Sequence, residues 1–271
     1  MSGTLDTIGP MTTTVEDFAW LYQALHGFDN SDKSTYWRKE NDVIQGLGAG
    51  VKGLTLAYAG GCLIEDADSE AMESLHGSPE IFRNLGANVI DLTVSEFQEV
   101  KDMEMRFAIS ATEVYTVLKN TPYVNMDKLD PVSRWISVGK EISASRYVEI
   151  LRWQEKISSR VMESMANVDA LISPTTLIPA VPISEIDPAD GDGTEDYSHG
   201  PCELFTRNAS IGNMLGLCGI SLPCGFTASG LPLGMQIYGK AFSEDMILRI
   251  AHAYQMATHW HKSKPDLGWI K

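Results

Sequence analysis

The stretch Arg207–Lys240, RNASIGNMLGLCGISLPCGFTASGLPLGMQIYGK, decides the fold of this chain. Two apolar runs, Leu217–Leu222 and Leu231–Tyr238, are short and flanked by Gly, Pro and Ser, which is the pattern of buried strands rather than helices. Cys224-Gly225-Phe226-Thr227-Ala228-Ser229-Gly230 reads as the turn that joins them. Ser243-Glu244-Asp245 then opens an amphipathic helix, with Met246, Ile247, Ile250, Ala251, Tyr254 and Ala257 on one side at helical spacing. The local unit is strand, loop, strand, helix.

Working outward, Asp169–Ile172 reads as another strand, ended by Ser173-Pro174-Thr175-Thr176. Further upstream, Gly53–Tyr58 predicts a strand, Ser69–Leu85 a helix and Ala87–Leu92 a second strand. That βαβ unit calls for a parallel or mixed sheet with helices packed over it, so the fold class is α/β, a mixed sheet covered by helices. Near the start, Thr13 with Glu16 gives a capping box, and Phe18, Leu21, Tyr22 and Leu25 recur at helical spacing until Gly27 stops the helix.

The middle is helical. Val94–Lys119 carries apolar residues at helical spacing, Asp130-Pro131 marks a start near Val132, and Ser143–Met165 is the longest amphipathic stretch. In the last, Tyr147, Ile150, Leu151, Ile157, Val161 and Met165 point inward. Asp187–Gly200, DPADGDGTEDYSHG, has few apolar residues and reads as a surface loop. Repeats and linker-like segments are missing, so residues 1–271 read as a single domain.

Composition narrows the function. Apolar residues make up 44% of the chain and charged residues 21%, an ordinary globular balance. Lys plus Arg (21) against Asp plus Glu (36) leaves a net charge of −15, which repels phosphate backbones and anionic membranes. Direct nucleic-acid binding is therefore disfavoured. The four cysteines, Cys62, Cys202, Cys218 and Cys224, show no CxxC spacing and read as reduced thiols. No apolar run approaches the length of a membrane span and no signal-peptide layout opens the chain, so the expectation is a cytoplasmic protein.

Several motifs fail their own requirements. Gly48-Ala49-Gly50-Val51-Lys52-Gly53 fits G-x-G-x-x-G, but the dinucleotide fingerprint follows a strand and opens a helix, whereas these glycines precede a strand. Asp190-Gly191-Asp192-Gly193 hints at a calcium loop, yet Pro188 and His199 fall where an EF-hand needs acidic ligands. His252, His259 and His261 form no HExxH, and histidines near a helix C-terminus suit its dipole. No metal or cofactor is expected. Cys224 reads more readily as a small packed hydrophobe than as a nucleophile. Ser173-Pro174-Thr175-Thr176 is the better candidate, because α/β sheets gather ligands at the carboxyl ends of strands.

Three segments together resemble the amidase signature family, serine amidohydrolases that include the A subunit of glutamyl-tRNA amidotransferase. They are TLDTIGPMTTTVEDFAWLYQALHGFD at Thr4–Asp29, VDALISPTTLIPAVPI at Val168–Ile183, and GLCGISLPCGFTASGLPLGMQIYGK running on to LRIAHAYQMATHWH. They occur in family order across nearly the whole chain. Departures exist: Thr13 stands where the family usually has Arg, and Cys218 where it has Pro. The resemblance implies a pocket to which Asp6, Thr175, Thr176, Cys224 and Gly225 contribute.

It also implies a Ser nucleophile, a second Ser on a cis peptide and a Lys, carried upstream of the LDxxGP motif that here begins at Leu5. Nothing in the chain resembles the Gly/Ser-rich nucleophile segment, and Val100-Lys101-Asp102 echoes the surroundings of the family Lys in the wrong place, at the start of a predicted helix. The expectation is the family fold without its N-terminal part and without catalytic residues of its own.

Two functional readings follow. In the first, the chain serves amide hydrolysis on a small amide once the N-terminal half is supplied. In the second, it is a truncated, non-catalytic amidase or an assembly module, or part of a tRNA-dependent amidotransferase. Unpaired strand edges would then drive self-association or capture of a complementing chain.

Overall fold

The computed structural model describes residues 2–36, 41–103, 107–129, 131–186, 200–265 and 268. Among the described residues five strands share one sheet: β1 (Thr55–Ala59), β2 (Asn88–Leu92), β3 (Ala170–Pro174), β4 (Cys218–Phe226) and β5 (Pro232–Gly239). In space their order is β2-β1-β3-β5-β4. β1 runs parallel to both β2 and β3, while β5 runs antiparallel to β3 and β4, so the sheet is mixed as the βαβ pattern implied.

Helices cover both faces. They are α1 (Val15–Leu25), α2 (Ser69–His76), α3 (Ser78–Asn84), α4 (Ser95–Asp102), α5 (Ala108–Lys119), α6 (Ala144–Ser164), α7 (Gly200–Met214) and α8 (Glu244–Ala257). One core joins Ala170, Ile172, Ile220, Leu222, Met235 and Ile237 of the sheet to α1, α2, α3 and α8. A second core takes the alternate residues Ala57, Leu171 and Tyr238 against α4, α5, α6 and α7. The two-residue strand period thus sends successive side chains into different cores. All five residues of β3 are buried, which is why Ala170-Leu171-Ile172 shows no polar alternation.

Several details differ from the sequence reading. The expected helix over Ser69–Leu85 is two helices meeting at Gly77, because Pro79 has no N–H to continue the first and suits the first turn of the second. Strand β4 runs through Cys224 to Phe226 instead of ending at Leu222. A bulge between Pro223 and Gly225 restores its pairing with Leu233 and Pro232, and the turn shrinks to the residues between Phe226 and Pro232.

The cap of α1 is Thr14, whose Oγ1 accepts from the Asp17 N–H at 3.0 Å. Gln255 of α8 fixes that start, its Oε1 accepting from the Val15 N–H at 2.8 Å. As a result α1 buries Val15 and Ala19, and leaves Leu21 and Leu25 exposed. On α8, Ala257 is exposed and Leu248 is buried, since the helix is wedged between the sheet and α1.

The middle splits into α4 and α5, and Pro131–Glu141 forms a 3₁₀ helix. Helix α6 follows the expectation: Ser143 caps it, and Ile150, Ile157, Val161 and Met165 are buried. The acidic stretch 187–199, with the calcium-loop echo Asp190–Gly193, lies outside the described residues.

Candidate functional site

Thr175 and Thr176 follow directly on β3, at its carboxyl end. The Thr175 N–H donates to the Gly234 carbonyl at 2.8 Å, and its Oγ1 lies 2.6 Å from Ser221 Oγ. Gly234 sits under this pair: a Cβ built there would lie 2.8 Å from Thr175 Oγ1 and 3.1 Å from Ser221 Oγ. Two hydroxyls therefore meet over a backbone that has no room for a side chain. Thr176 differs, since its Oγ1 donates to the Ile178 carbonyl at 2.9 Å and shapes the loop.

Cys224 and Gly225 lie at the same end of the β4–β5 pair, directly after Pro223, the partner of Gly234. Cys224 is buried in the core, with Sγ 3.4 Å from Ser74 Oγ and 3.6 Å from the Leu233 carbonyl oxygen. Burial pushes its thiol up, and drives the Cys62 and Cys218 thiols up to about 11. Those three sulfurs are protonated near neutral pH and are weak nucleophiles. Gly225 faces α2, where an added Cβ would lie 2.9 Å from Ser74 Cβ. Its bare backbone is what lets α2 approach the strand.

Asp6 lies elsewhere, on a turn of its own. The Ser2 N–H donates to Asp6 Oδ2 at 2.8 Å and the Asp6 N–H returns to the Ser2 carbonyl at 2.9 Å. Glu113 of α5 pins this turn. Its carboxylate accepts from Ser2 Oγ at 2.5 Å, from the Thr4 N–H at 3.0 Å, from the Thr4 hydroxyl, and from the Tyr147 hydroxyl at 2.5 Å. Partial burial alone would raise the Glu113 carboxyl, but the hydrogen bonds from Ser2, Thr4 and Tyr147 outweigh it and hold it below the ordinary range.

Leu5 and Asp6 form one wall of a cavity of about 600 Å³. The end of α4 (Val100, Lys101), one face of α5 and the 3₁₀ segment at Trp135-Ile136 form others. Helix α7 closes it with Thr206, Ala209, Ser210 and Asn213, a face at helical spacing. The Asn213 amide also donates to the Leu5 carbonyl at 2.6 Å, tying that wall to the turn.

Two neighbours on α7 connect the cavity to the strand ends. Arg207, which borders the cavity, donates to both Glu203 oxygens at 2.6 Å, to Asp66 at 3.1 Å, and to the Cys62 and Glu65 carbonyls. Asn208 donates to the Leu63 carbonyl at 3.0 Å and the Pro174 carbonyl at 2.7 Å. The loop after β1 and the loop after β3 are thus both fastened to α7. Of the five residues expected to share a pocket, Asp6 lines the cavity, Thr175 and Thr176 sit at the strand ends fastened to α7, and Cys224 and Gly225 pack against α2.

Sequence reading had not picked out Glu113, Asn208, Ser221 or the Glu203–Arg207 pair. Only the last had a local signal, a Glu four residues before an Arg on one helix face. Lys101, the echo of the family Lys, ends α4 with its Nζ 2.5 Å from Glu65 Oε2. The glycines of the G-x-G-x-x-G match do precede β1, with Gly50 and Gly53 at positive φ, as turn residues. Among the described residues no group of three His, Cys, Asp or Glu is placed to hold a metal, and no helix is long and apolar enough to cross a membrane.

A mixed sheet between helical layers, with a cavity beside α7, defines an α/β protein with room for a ligand. The amidase family model matches residues 1–248, and the chain belongs to that family. It is 29% identical over 269 residues to an amidase of Pseudomonas putida, covering 98% of this chain and 56% of that protein. To the A subunit of the glutamyl-tRNA(Gln) amidotransferase of Bacillus licheniformis it is 30% identical over 293 residues, covering 98% of this chain and 58% of that protein.

Among solved structures, the corresponding amidotransferase protein from Thermotoga maritima superposes with a TM-score of 0.69 at 26% identity, covering 93% of this chain and 53% of that one. A 6-aminohexanoate cyclic dimer hydrolase superposes at 0.82 with 20% identity, covering 94% and 55%, a likeness of fold. The chain therefore spans about half the length of the relatives it matches.

Proposed function

We propose that this chain contributes the sheet and pocket of a cytoplasmic amidase that splits linear amide C–N bonds. In this reading the nucleophilic Ser, the cis-Ser and the Lys come from a Gly/Ser-rich segment outside the chain. The observation that carries it is the amidase family match over residues 1–248 in a chain spanning about half the length of its relatives. The chemistry of the side chains agrees. Three of the four thiols are pushed up by burial, and Lys101 is held by Glu65 at the end of a helix.

In the complete site the nucleophile would attack the amide carbonyl while its proton passes through the cis-Ser toward a neutral Lys. Backbone N–H groups would hold the oxyanion, the amine would leave, and water would resolve the acyl-enzyme. This chain's part is to shape the acyl pocket and fasten the strand-end loops through Arg207 and Asn208.

The test is turnover of simple amides by the purified 271-residue chain, alone and co-expressed with a Gly/Ser-rich amidase segment. No turnover alone, and turnover with the segment, is expected; hydrolysis by the pure chain would overturn the reading. A second reading, an assembly module, draws on surface chemistry. Ile8 and Met11 are 97% and 98% exposed, and Trp20, Leu25 and Phe28 are exposed beside them in sequence. Under it the chain self-associates or captures a complementing chain; a monomer at high concentration that recruits no such segment would remove it.

A further inference from the structure

We propose that the 3₁₀ helix Pro131–Glu141 is a two-state gate on the cavity, which opens when the segment rewinds into an α-helix and draws Trp135 out of the wall. The inference concerns access, goes beyond the amide-hydrolysis reading, and holds with or without it. Its starting point is length. The helix runs for 11 residues, whereas 3₁₀ runs beyond three or four residues are uncommon because their hydrogen bonds are poorly aligned.

The sequence favours the other winding. Val132, Trp135, Ile136 and Gly139 recur at i, i+3, i+4 and i+7, one face of an α-helix, and Pro131 suits an α-helical first turn. A 3₁₀ helix has three residues per turn and sorts the same segment into rows of every third residue. Ile136 and Gly139 share one row and are buried, while Trp135 and Val138 share another and stay 39% and 53% exposed. The observed winding thus leaves outside an indole that the α pattern would bury.

Gly139 supplies the pivot. It lies against α5, where an added Cβ would collide with the Ala111 carbonyl, so the two backbones meet with no side chain between them. With Gly139 held, rewinding changes the rotation per residue from about 120° to about 100° and the rise from about 2.0 Å to about 1.5 Å. Trp135, four residues earlier, turns by about 80° toward α5 and moves by about 2 Å along the axis. Ile136 turns by about 60° away from α5, so the two side chains then flank the Gly139 contact.

Ser133, Trp135 and Ile136 are this segment's part of the cavity wall. Rewinding withdraws the indole from that wall and shortens the helix by about 5 Å. Thr206, Ala209 and Ser210 line the cavity from α7, a separate element, so the opening is on one side.

The experiment is fluorine NMR of the full chain labelled with fluorotryptophan, the Trp135 signal being assigned by Trp135→Phe. That signal is expected to show two lines or relaxation dispersion, from exchange on the μs–ms scale or slower. Ser133→Glu with Ser137→Lys sets opposite charges at i, i+4, neighbours on an α-helix but about 120° apart on a 3₁₀ helix. This pair is expected to shift the population about twofold toward the form whose indole has the smaller solvent-isotope shift. Ser133→Lys with Ser137→Lys should shift it the other way.

Opening is read separately at Ser210→Cys, through its alkylation by iodoacetamide followed by peptide mass. The rate should rise about twofold with the opposite-charge pair and fall with the like-charge pair. A single sharp Trp135 line free of dispersion in the otherwise unaltered chain would overturn the proposal before any charge pair is made. So would a signal that neither pair moves, or a population shift that leaves the Ser210→Cys rate unchanged.

Discussion

Arg207 and Arg160 make nearly the same contact in opposite surroundings. Each sets two guanidinium nitrogens against both oxygens of one glutamate: Arg207 on Glu203 at 2.6 Å twice, Arg160 on Glu99 at 2.9 and 2.6 Å. Each has a second carboxylate nearby, Asp66 at 3.1 Å and Glu96 at 3.3 Å. Yet the Arg207 side chain is 4% exposed and that of Arg160 is 48% exposed. Water can replace the partners of the second and not of the first, so one fork geometry carries very different weight. Arg207 also binds the carbonyls of Cys62 and Glu65, which makes it the clasp between α7 and the loop after β1.

Removing Arg207 should therefore have the largest effect. Arg207→Ala takes from buried Glu203 the guanidinium that holds both its oxygens, and is expected to cost about 3–5 kcal/mol in urea unfolding. The sharper experiment is the double variant Arg207→Met with Glu203→Leu. Replacing a buried pair by apolar groups of similar volume is often neutral or stabilising, so most of the lost stability should return. If the double variant is as unstable as Arg207→Ala, the clasp on the loop carbonyls, rather than the buried charge, is what matters.

Gly225 asks whether uncharged close packing matches a buried ion pair. Valine there would force its Cβ to within 2.9 Å of Ser74 Cβ, and α2 would have to move off β4. Overpacking of this kind costs about 1–3 kcal/mol, below the Arg207 effect. A thermal melt of Gly225→Val checks it, and an unchanged midpoint would mean that α2 yields freely.

Glu113 lies between the two arginines in burial, and its effect should lie between theirs. Glu113→Gln keeps the shape but cannot accept all the bonds from Ser2, Thr4 and Tyr147, and should cost about 1–2 kcal/mol at pH 7. Because the folded carboxyl is held below its ordinary value, its stabilisation is fully present above the unfolded value of about 4.3 and is lost as the pH falls through the folded one. The gap between wild type and variant, measured by urea unfolding, should close on acidification. A gap that widens toward low pH would contradict the assignment.

The fold was legible because its signals are local. Strand-sized apolar runs at Gly53–Tyr58 and Leu231–Tyr238 and the helical period of Ser143–Met165 each declare themselves within one window. The errors were local too: a Pro that divides α2 from α3, and a bulge that carries β4 past Pro223. Most of the site was not legible, because its bonds span the chain. Glu113 meets Ser2 across more than a hundred residues, Asn208 meets Leu63 and Pro174, and Thr175 meets Ser221. Cys224 shows the limit from the other side. Its neighbours in sequence suggest a strand end, while its neighbours in space are Ser74 and the core.

Arg160→Ala should have the smallest effect. The variant gives up two short hydrogen bonds to Glu99 and the contact to Glu96, which on geometry alone would rank beside Arg207→Ala. Solvation decides otherwise, since exposed Glu99 is rehydrated once the guanidinium leaves, and an exposed pair is screened by salt. The expected thermal midpoint is that of the wild type, in low salt and in high. A drop comparable to Arg207→Ala would locate the cost in Glu96, which is buried on α4 and would be left with Ser95 and Ser164. Glu96→Gln in the Arg160→Ala background would then restore stability, and burial of the acid rather than of the arginine would be what separates the two clusters.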